Sequence, residues 1–221
     1  MIRKFLVCAA AVFVLCQSVR AQAQLDSGPP PRAQVEAFYN QQISPVVEGL
    51  LKGSHPVPEL GARFSELAVR ARDKYSLHFN VGISLEYGHR KTGFASNHVD
   101  AGQVWVTLYA PALYDSHKQH QLTDPQHADA IVANTVALSM IHELDHAAHG
   151  YTSSPTASAE ERAQNEIWAW AETCEKSMSV LAERGLPMTR KQREIYEAWI
   201  KAARTTMSQS WNDFIRNMYG Y

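Results

Sequence analysis

Cysteine is scarce in this chain. Of its three cysteines, Cys8 and Cys16 fall in an N-terminal apolar run, so a chain that sheds that run keeps Cys174 alone. One cysteine closes no internal disulfide, which excludes the stapled scaffolds of small secreted domains and leaves stability to a core or a metal. A second long hydrophobic run is also missing. After residues 5–15, itself too short for a stable anchor, no stretch approaches the roughly 20 apolar residues that a membrane-spanning helix needs. Charge of one sign is not in excess either. Taking Arg3, Lys4 and Arg20 from the 21 basic residues leaves 18 against 22 acids, a net charge of −4. That mildly acidic, unpatterned balance has no basic patch for nucleic acid. No internal repeat is visible.

What is there begins with a leader. Arg3 and Lys4 form a basic start, residues 5–15 are apolar, and Ala21-Gln22-Ala23 is a small-x-small cleavage site, so residues 1–23 read as a signal peptide. Leu15 immediately before Cys16 argues against a lipid-modified cysteine. The mature chain is expected to begin near Gln24 and to be exported, periplasmic or secreted. Residues 24–34, with Gly28-Pro29-Pro30-Pro31, read as a flexible leader. Residues 35–221 suit a single domain with a sizeable core.

Apolar spacing organises that domain. Val35, Phe38, Tyr39, Val46 and Leu50 recur at helical intervals interrupted by Pro45, which predicts two short helices, the second capped by Ser44. Leu60, Phe64, Leu67, Ala68, Ala71 and Tyr75 mark an amphipathic helix. The period then drops to two: Leu77, Phe79, Val81, Ile83, Leu85 and Tyr87 alternate with polar or small residues. Val104, Val106, Leu108 and Ala110 alternate with Trp105, Thr107 and Tyr109 up to Pro111, and a short middle strand is expected around residues 94–99. A small antiparallel sheet or meander is the economical arrangement. Farther on, Ser158 and Glu161 form a capping box for a long helix closed by Gly185 and Pro187. Thr189 with Gln192 caps a last helix, whose inner stripe is Ile195, Trp199, Ala202, Thr206, Ser210, Phe214 and Met218, with Trp211 beside it. Helices, sheet, helices is the order of one α+β domain, mainly helical.

Between sheet and long helix lies His142-Glu143-Leu144-Asp145-His146, an HExxH pattern. Histidines at i and i+4 on a helix point the same way, so two neutral imidazoles can bind one Zn²⁺, with a carboxylate between them to serve the water. The flanks supply the helix. Thr123-Asp124-Pro125-Gln126 resembles a start and Gly150 a stop. Ala133, Val136, Ala137, Met140, Leu144, Ala147 and Ala148 form an apolar face opposite the histidines.

A catalytic zinc wants a third protein ligand and an open position. On the next helix Glu166 shares a face with Ala159, Ala163, Ala169, Trp170 and Thr173, small enough in the main for two helices to approach closely. Glu160, Glu161 and Glu172 point away and read as a solvated face. Glu166 itself also reads as an exposed helix glutamate. HExxH followed by Glu166-Ile167-Trp168-Ala169, an E-x-x-A element, resembles the gluzincin branch of zinc metallopeptidases. The resemblance spans residues 127–173 and implies that His142, His146 and Glu166 hold Zn²⁺. It also implies that Glu143 is the general base in hydrolysis of a peptide or protein substrate. The alternative is a non-catalytic protein of the same fold, its metal structural or lost, that binds a protein partner. Asp145 departs from the uncharged residue usual there. HELDH also resembles the last motif of peptide deformylases, but the cysteine ligand and glycine-rich motif of that family are absent.

Asp145 reads either as a partner that orients a ligand histidine or as a surface acid. His149, seven residues after His142, has three readings: a fourth ligand, an oxyanion stabiliser, or a helix C-terminal His against the dipole. Tyr109, Tyr114 and Tyr151 are candidate oxyanion donors that spacing does not separate. Residues 105–109 read as an ordinary buried strand or as the edge lining a cleft. His117, His120 and His127 read as solvated, Trp168, Trp170, Trp199 and Trp211 as core, and Cys174 as buried and inert.

Overall fold

The computed structural model describes residues 29–88, 93–150, 157–203 and 209–220. The proposed signal peptide, Tyr151 and Thr206 lie outside them. α1 (Arg32–Phe38) begins directly after Pro31, passes through a wide π turn (Tyr39–Ile43) and continues as α2 (Ser44–Leu51). The expected break at Pro45 is therefore only a change of winding. Pro45 sits in the first turn of α2, where its missing N–H is not needed, and the π turn takes up the change of register. α3 (Pro58–Tyr75) buries Leu60, Phe64, Leu67 and Ala71 as its spacing predicts, and buries Arg63 in the same stripe.

β1 (His78–Ser84), β2 (Ala95–Asp100) and β3 (Gln103–Tyr109) form one sheet in the order β1-β3-β2. The α+β class stands, but the sheet is mixed, not a meander: β2 and β3 are antiparallel, while β1 runs parallel to β3. The physical reason is burial. Val104, Val106 and Leu108 are fully buried, so β3 takes the centre and the more exposed β1 and β2 take the edges. Ala101 (φ 45°) and Gly102 (φ 75°) make the left-handed two-residue turn that suits a hairpin. Alternation along a strand reports its face but not its partner.

Pro111 ends β3 as expected and also occupies the first turn of α4 (Ala110–Thr123). This helix has no clear apolar stripe to announce it, since Asp115, Lys118, Gln119 and Gln121 interrupt the pattern. Thr123 closes α4 by donating its hydroxyl to the Gln119 carbonyl (3.0 Å). It does not cap the next helix; α5 (Ala128–Ala148) opens farther on with no side-chain cap. α3, α4, α6 (Ala159–Thr173), β2 and β3 all pack on α5. α5 is buried on nearly every side, histidines included, and not on its apolar face alone.

Gly150 terminates α5 with φ 76°, and its N–H returns to the Ala147 carbonyl (3.0 Å). A Cβ there would lie 2.9 Å from Cε1 of Tyr75. Gly150→Ala is expected to destabilise the fold by about 1–2 kcal/mol from the left-handed backbone alone, measurable by urea denaturation. An unchanged midpoint would mean that the turn relaxes freely.

Ser158 and Glu161 make both bonds of the capping box that opens α6 (3.1 and 2.8 Å). A π turn (Cys174–Met178) and α7 (Ser179–Glu183) continue the rod, and Gly185 stops it with φ 63°. Thr189 and Gln192 exchange the bonds that begin α8 (Arg190–Ala203). Of the expected stripe, Ile195 and Ala202 on α8 are buried, as is Trp211 beside it on α9 (Gln209–Tyr219); Trp199, Phe214 and Met218 are partly buried against the core, and Ser210 is exposed. No helix among the described residues is long and apolar enough to cross a membrane.

Candidate metal centre

Helical geometry assembles the site. His142 and His146 lie one turn apart on α5, and their rings meet edge to face with centroids 4.8 Å apart. Glu166 enters from α6, where buried Ala163 and Ala169 let the two helices approach. Its carboxylate reaches both imidazoles: Oε2 is 3.4 Å from His142 Nε2 and Oε1 is 3.8 Å from His146 Nε2. The ligand-type atoms of the three residues lie within 4.8 Å of one another. Both histidines are buried, and Glu166 is not the exposed helix glutamate of the alternative reading.

The donor set fits a cation. Glu166 Oε2 is buried and makes no well-formed hydrogen bond; it faces the His142 ring nitrogen at 3.4 Å, a looser contact than a buried carboxylate oxygen usually keeps and one that a cation between them would improve. Burial works against the charge of Glu166, but His142 and His146 prevail and hold its carboxyl down at about 2. Burial lowers His146 to about 4, leaving a neutral imidazole with a lone pair to give. His142 is raised despite its burial, because Glu166 faces it.

Glu143 points to the strand side of α5. Asn97, on the inner face of edge strand β2, donates Nδ2 to Glu143 Oε2 (2.7 Å) and to the Glu143 carbonyl (3.2 Å). Desolvation, reinforced by the nearby Glu166 charge, pushes the Glu143 carboxyl up to about 7 against the pull of His142 and Asn97. Asn97 is absent from the sequence reading, although an asparagine inside a strand, facing the core, was a usable signal.

Tyr219 also reaches the site. Trp170 donates its indole N–H to the Tyr219 hydroxyl (2.8 Å), and its ring lies against His142 (centroids 4.2 Å). Burial and the Glu166 charge hold the Tyr219 phenol well above its ordinary pKa. Of the tyrosines named from sequence, Tyr109 bonds Ser96 (2.7 Å) and Tyr114 bonds Gln34 (2.7 Å); Tyr151 lies outside the described residues. No local pattern singles out Tyr219. Trp170 is part of the site's wall, Trp168 is 49% exposed, and Trp211 is core.

Asp145 is no surface acid. It is 0% exposed; its Oδ1 accepts from Arg63 Nη2 (2.7 Å) and its Oδ2 from the Thr173 hydroxyl (3.3 Å). Thr173 Oγ1 also lies 3.4 Å from His142 Nδ1. Burial pushes the Asp145 carboxyl up to about 6, with Arg63 opposing. Glu172, expected to be solvated, is two-thirds covered and accepts from Arg63 Nη2 at 2.9 Å. An arginine inside the Leu60–Phe64–Leu67 stripe was the available signal for this network.

His149 stands at the end of α5. One ring nitrogen meets the Asp145 carbonyl (2.9 Å) and the other meets Arg70 (3.2 Å), which agrees with the helix-terminus reading and not with a fourth ligand. His117 is a correction: it is buried, with Nε2 2.7 Å from Asp129 and its ring against Phe38. His127 is exposed, as expected. β3 is the central strand, so residues 105–109 are not an edge. Cys174 is buried and its thiol is pushed up by desolvation, consistent with an inert side chain.

No family model, curated protein or solved structure matches the chain.

Proposed function

We propose that this chain is an exported, gluzincin-like zinc hydrolase acting on peptide bonds. The observation that carries the reading is the convergence of two buried imidazoles and a carboxylate on one point, beside a second carboxylate that is not part of the cluster. His142, His146 and Glu166 would hold the ion. Two nitrogens and one carboxylate suit Zn²⁺ and leave a position open. Bound there, zinc supplies Lewis acidity and makes water nucleophilic near neutral pH.

The chain supplies the proton chemistry. Asn97 occupies Glu143 Oε2, which leaves Oε1 to take a proton from water and later give it to the departing amine. The carboxyl, raised to about 7, is suited to exchange a proton near neutral pH. Export rests on the basic and apolar leader of residues 1–23, and the substrate is a peptide or protein.

Elemental analysis of the purified mature chain tests this. About one zinc per chain is expected, lost in both His146→Ala and Glu166→Ala, because a three-ligand site that forfeits one ligand leaves few to compete with solvent. A chain that stays empty with zinc in excess sinks the hydrolase reading. A chain that binds zinc but never turns over a peptide favours the non-catalytic alternative.

A further inference from the structure

We infer that Thr173 is a positioning residue for His142, and that the buried Asp145–Arg63 pair sets the direction in which it works. The inference rests on the proposed metal reading of the cluster and goes beyond the three ligands to what makes one of them competent.

A neutral imidazole has one N–H and one lone pair, and the hydrogen bond at one nitrogen decides what the other offers. Nε2 of His142 faces Glu166 at 3.4 Å, so a ligand role requires the N–H on Nδ1. Thr173 Oγ1 is 3.4 Å from that nitrogen. A hydroxyl can donate or accept, and if it donated to Nδ1 the lone pair would be turned the wrong way. Its direction is fixed from behind. Asp145 Oδ2, 3.3 Å from the hydroxyl, belongs to a carboxylate, which only accepts. Thr173 therefore donates to Asp145 and accepts from His142. Arg63 Nη2 donates to the other oxygen at 2.7 Å, which holds the Asp145 carboxylate between a guanidinium and the Thr173 hydroxyl.

The two helices that supply the ligands also supply their support. Thr173 lies seven residues after Glu166, two turns along the same face of α6, and Asp145 lies three after His142 on α5. Thr173 and Asp145 are both 0% exposed, so little solvent competes for the chain of bonds. The charged fourth position of the HELDH motif thereby gains a role: it orients the first histidine through a residue of the neighbouring helix.

The test uses the mature chain and zinc, titrated against a chromophoric chelator. Thr173→Val keeps the shape and removes the hydroxyl. It is expected to weaken zinc binding by roughly 10–100-fold, the effect of losing a partner behind a ligand histidine, and Thr173→Ser is expected to restore binding to within a few-fold. With Co²⁺ in place of zinc, the visible spectrum of Thr173→Val should differ from wild type and that of Thr173→Ser should match it. A side chain that only fills space would be served as well by valine as by threonine. Wild-type affinity in Thr173→Val, or no recovery in Thr173→Ser, overturns the inference. Should Thr173→Val fail to fold, Thr173→Ala carries the same comparison with Thr173→Ser. A wild-type chain that takes up no zinc overturns the functional reading, and this one with it. A wild type that binds while valine makes no difference overturns this one alone.

Discussion

Glu143→Gln is expected to leave about one zinc per chain while turnover of a peptide substrate falls by roughly 10²–10⁴-fold, the usual worth of a positioned general base. The substitution is nearly isosteric. Glutamine retains an oxygen that can accept from Asn97 Nδ2, so the 2.7 Å contact that anchors this side chain has a counterpart. What is lost is the capacity to take a proton. Glu143 is outside the metal cluster of His142, His146 and Glu166, so metal content and turnover should separate cleanly. His146→Ala and Glu166→Ala, by contrast, should lose both together. The pattern among the three variants is more informative than any one rate. Undiminished turnover in Glu143→Gln would falsify the proposed mechanism. A fall in zinc in the same variant would mean that Glu143 belongs to the ligand set.

The features legible in the sequence are those that one turn of helix or one strand face encodes. The Ser158–Glu161 and Thr189–Gln192 caps are spaced three residues apart and form as written. The paired histidines four residues apart do share a face, and helix-wheel reasoning brings Glu166 toward them from α6. What stays hidden is partnership across the chain. Arg63 meets Asp145 over 82 residues, Asn97 meets Glu143 over 46, and Trp170 meets Tyr219 over 49. No periodicity encodes these pairings, since spacing tells which way a side chain points but not what stands opposite. The sheet repeats the lesson. Alternation in residues 77–87 and 104–110 identifies strands and faces, while the order β1-β3-β2 depends on which strand can be covered on both edges. α4 escapes notice for a further reason: its polar residues bury locally, as His117 does against Asp129 and Phe38, without a continuous apolar stripe.

Arg63→Met is expected to be the most destabilising of the single substitutions considered, at about 3–5 kcal/mol, the cost of removing one partner from a buried ion pair. Arg63 is 6% exposed and its guanidinium joins three helices: Nη2 serves Asp145 on α5 and Glu172 on α6, and Nη1 serves Glu66 on α3 itself. Methionine fills much of the same volume, so loss of packing is minor. The penalty falls on Asp145, which is 0% exposed and would be left with a hydroxyl in place of a cation. For a domain of this size that is a fall in melting temperature of roughly 10 °C, measured with chelator present so that metal linkage does not enter. Glu172 is partly exposed and can turn to solvent, so it should contribute little to the loss. The double variant Arg63→Met/Asp145→Leu separates charge from architecture. If the cost is an uncompensated carboxylate, removing that carboxylate should recover a large part of the stability, because a buried pair replaced by apolar side chains is often no less stable than the pair itself. The same double variant should still bind zinc more weakly than wild type, since Thr173 no longer has the acceptor that directs its hydroxyl. A double variant as unstable as Arg63→Met alone would show that the arginine holds the three helices together by shape, and that the charge on Asp145 is incidental to the fold.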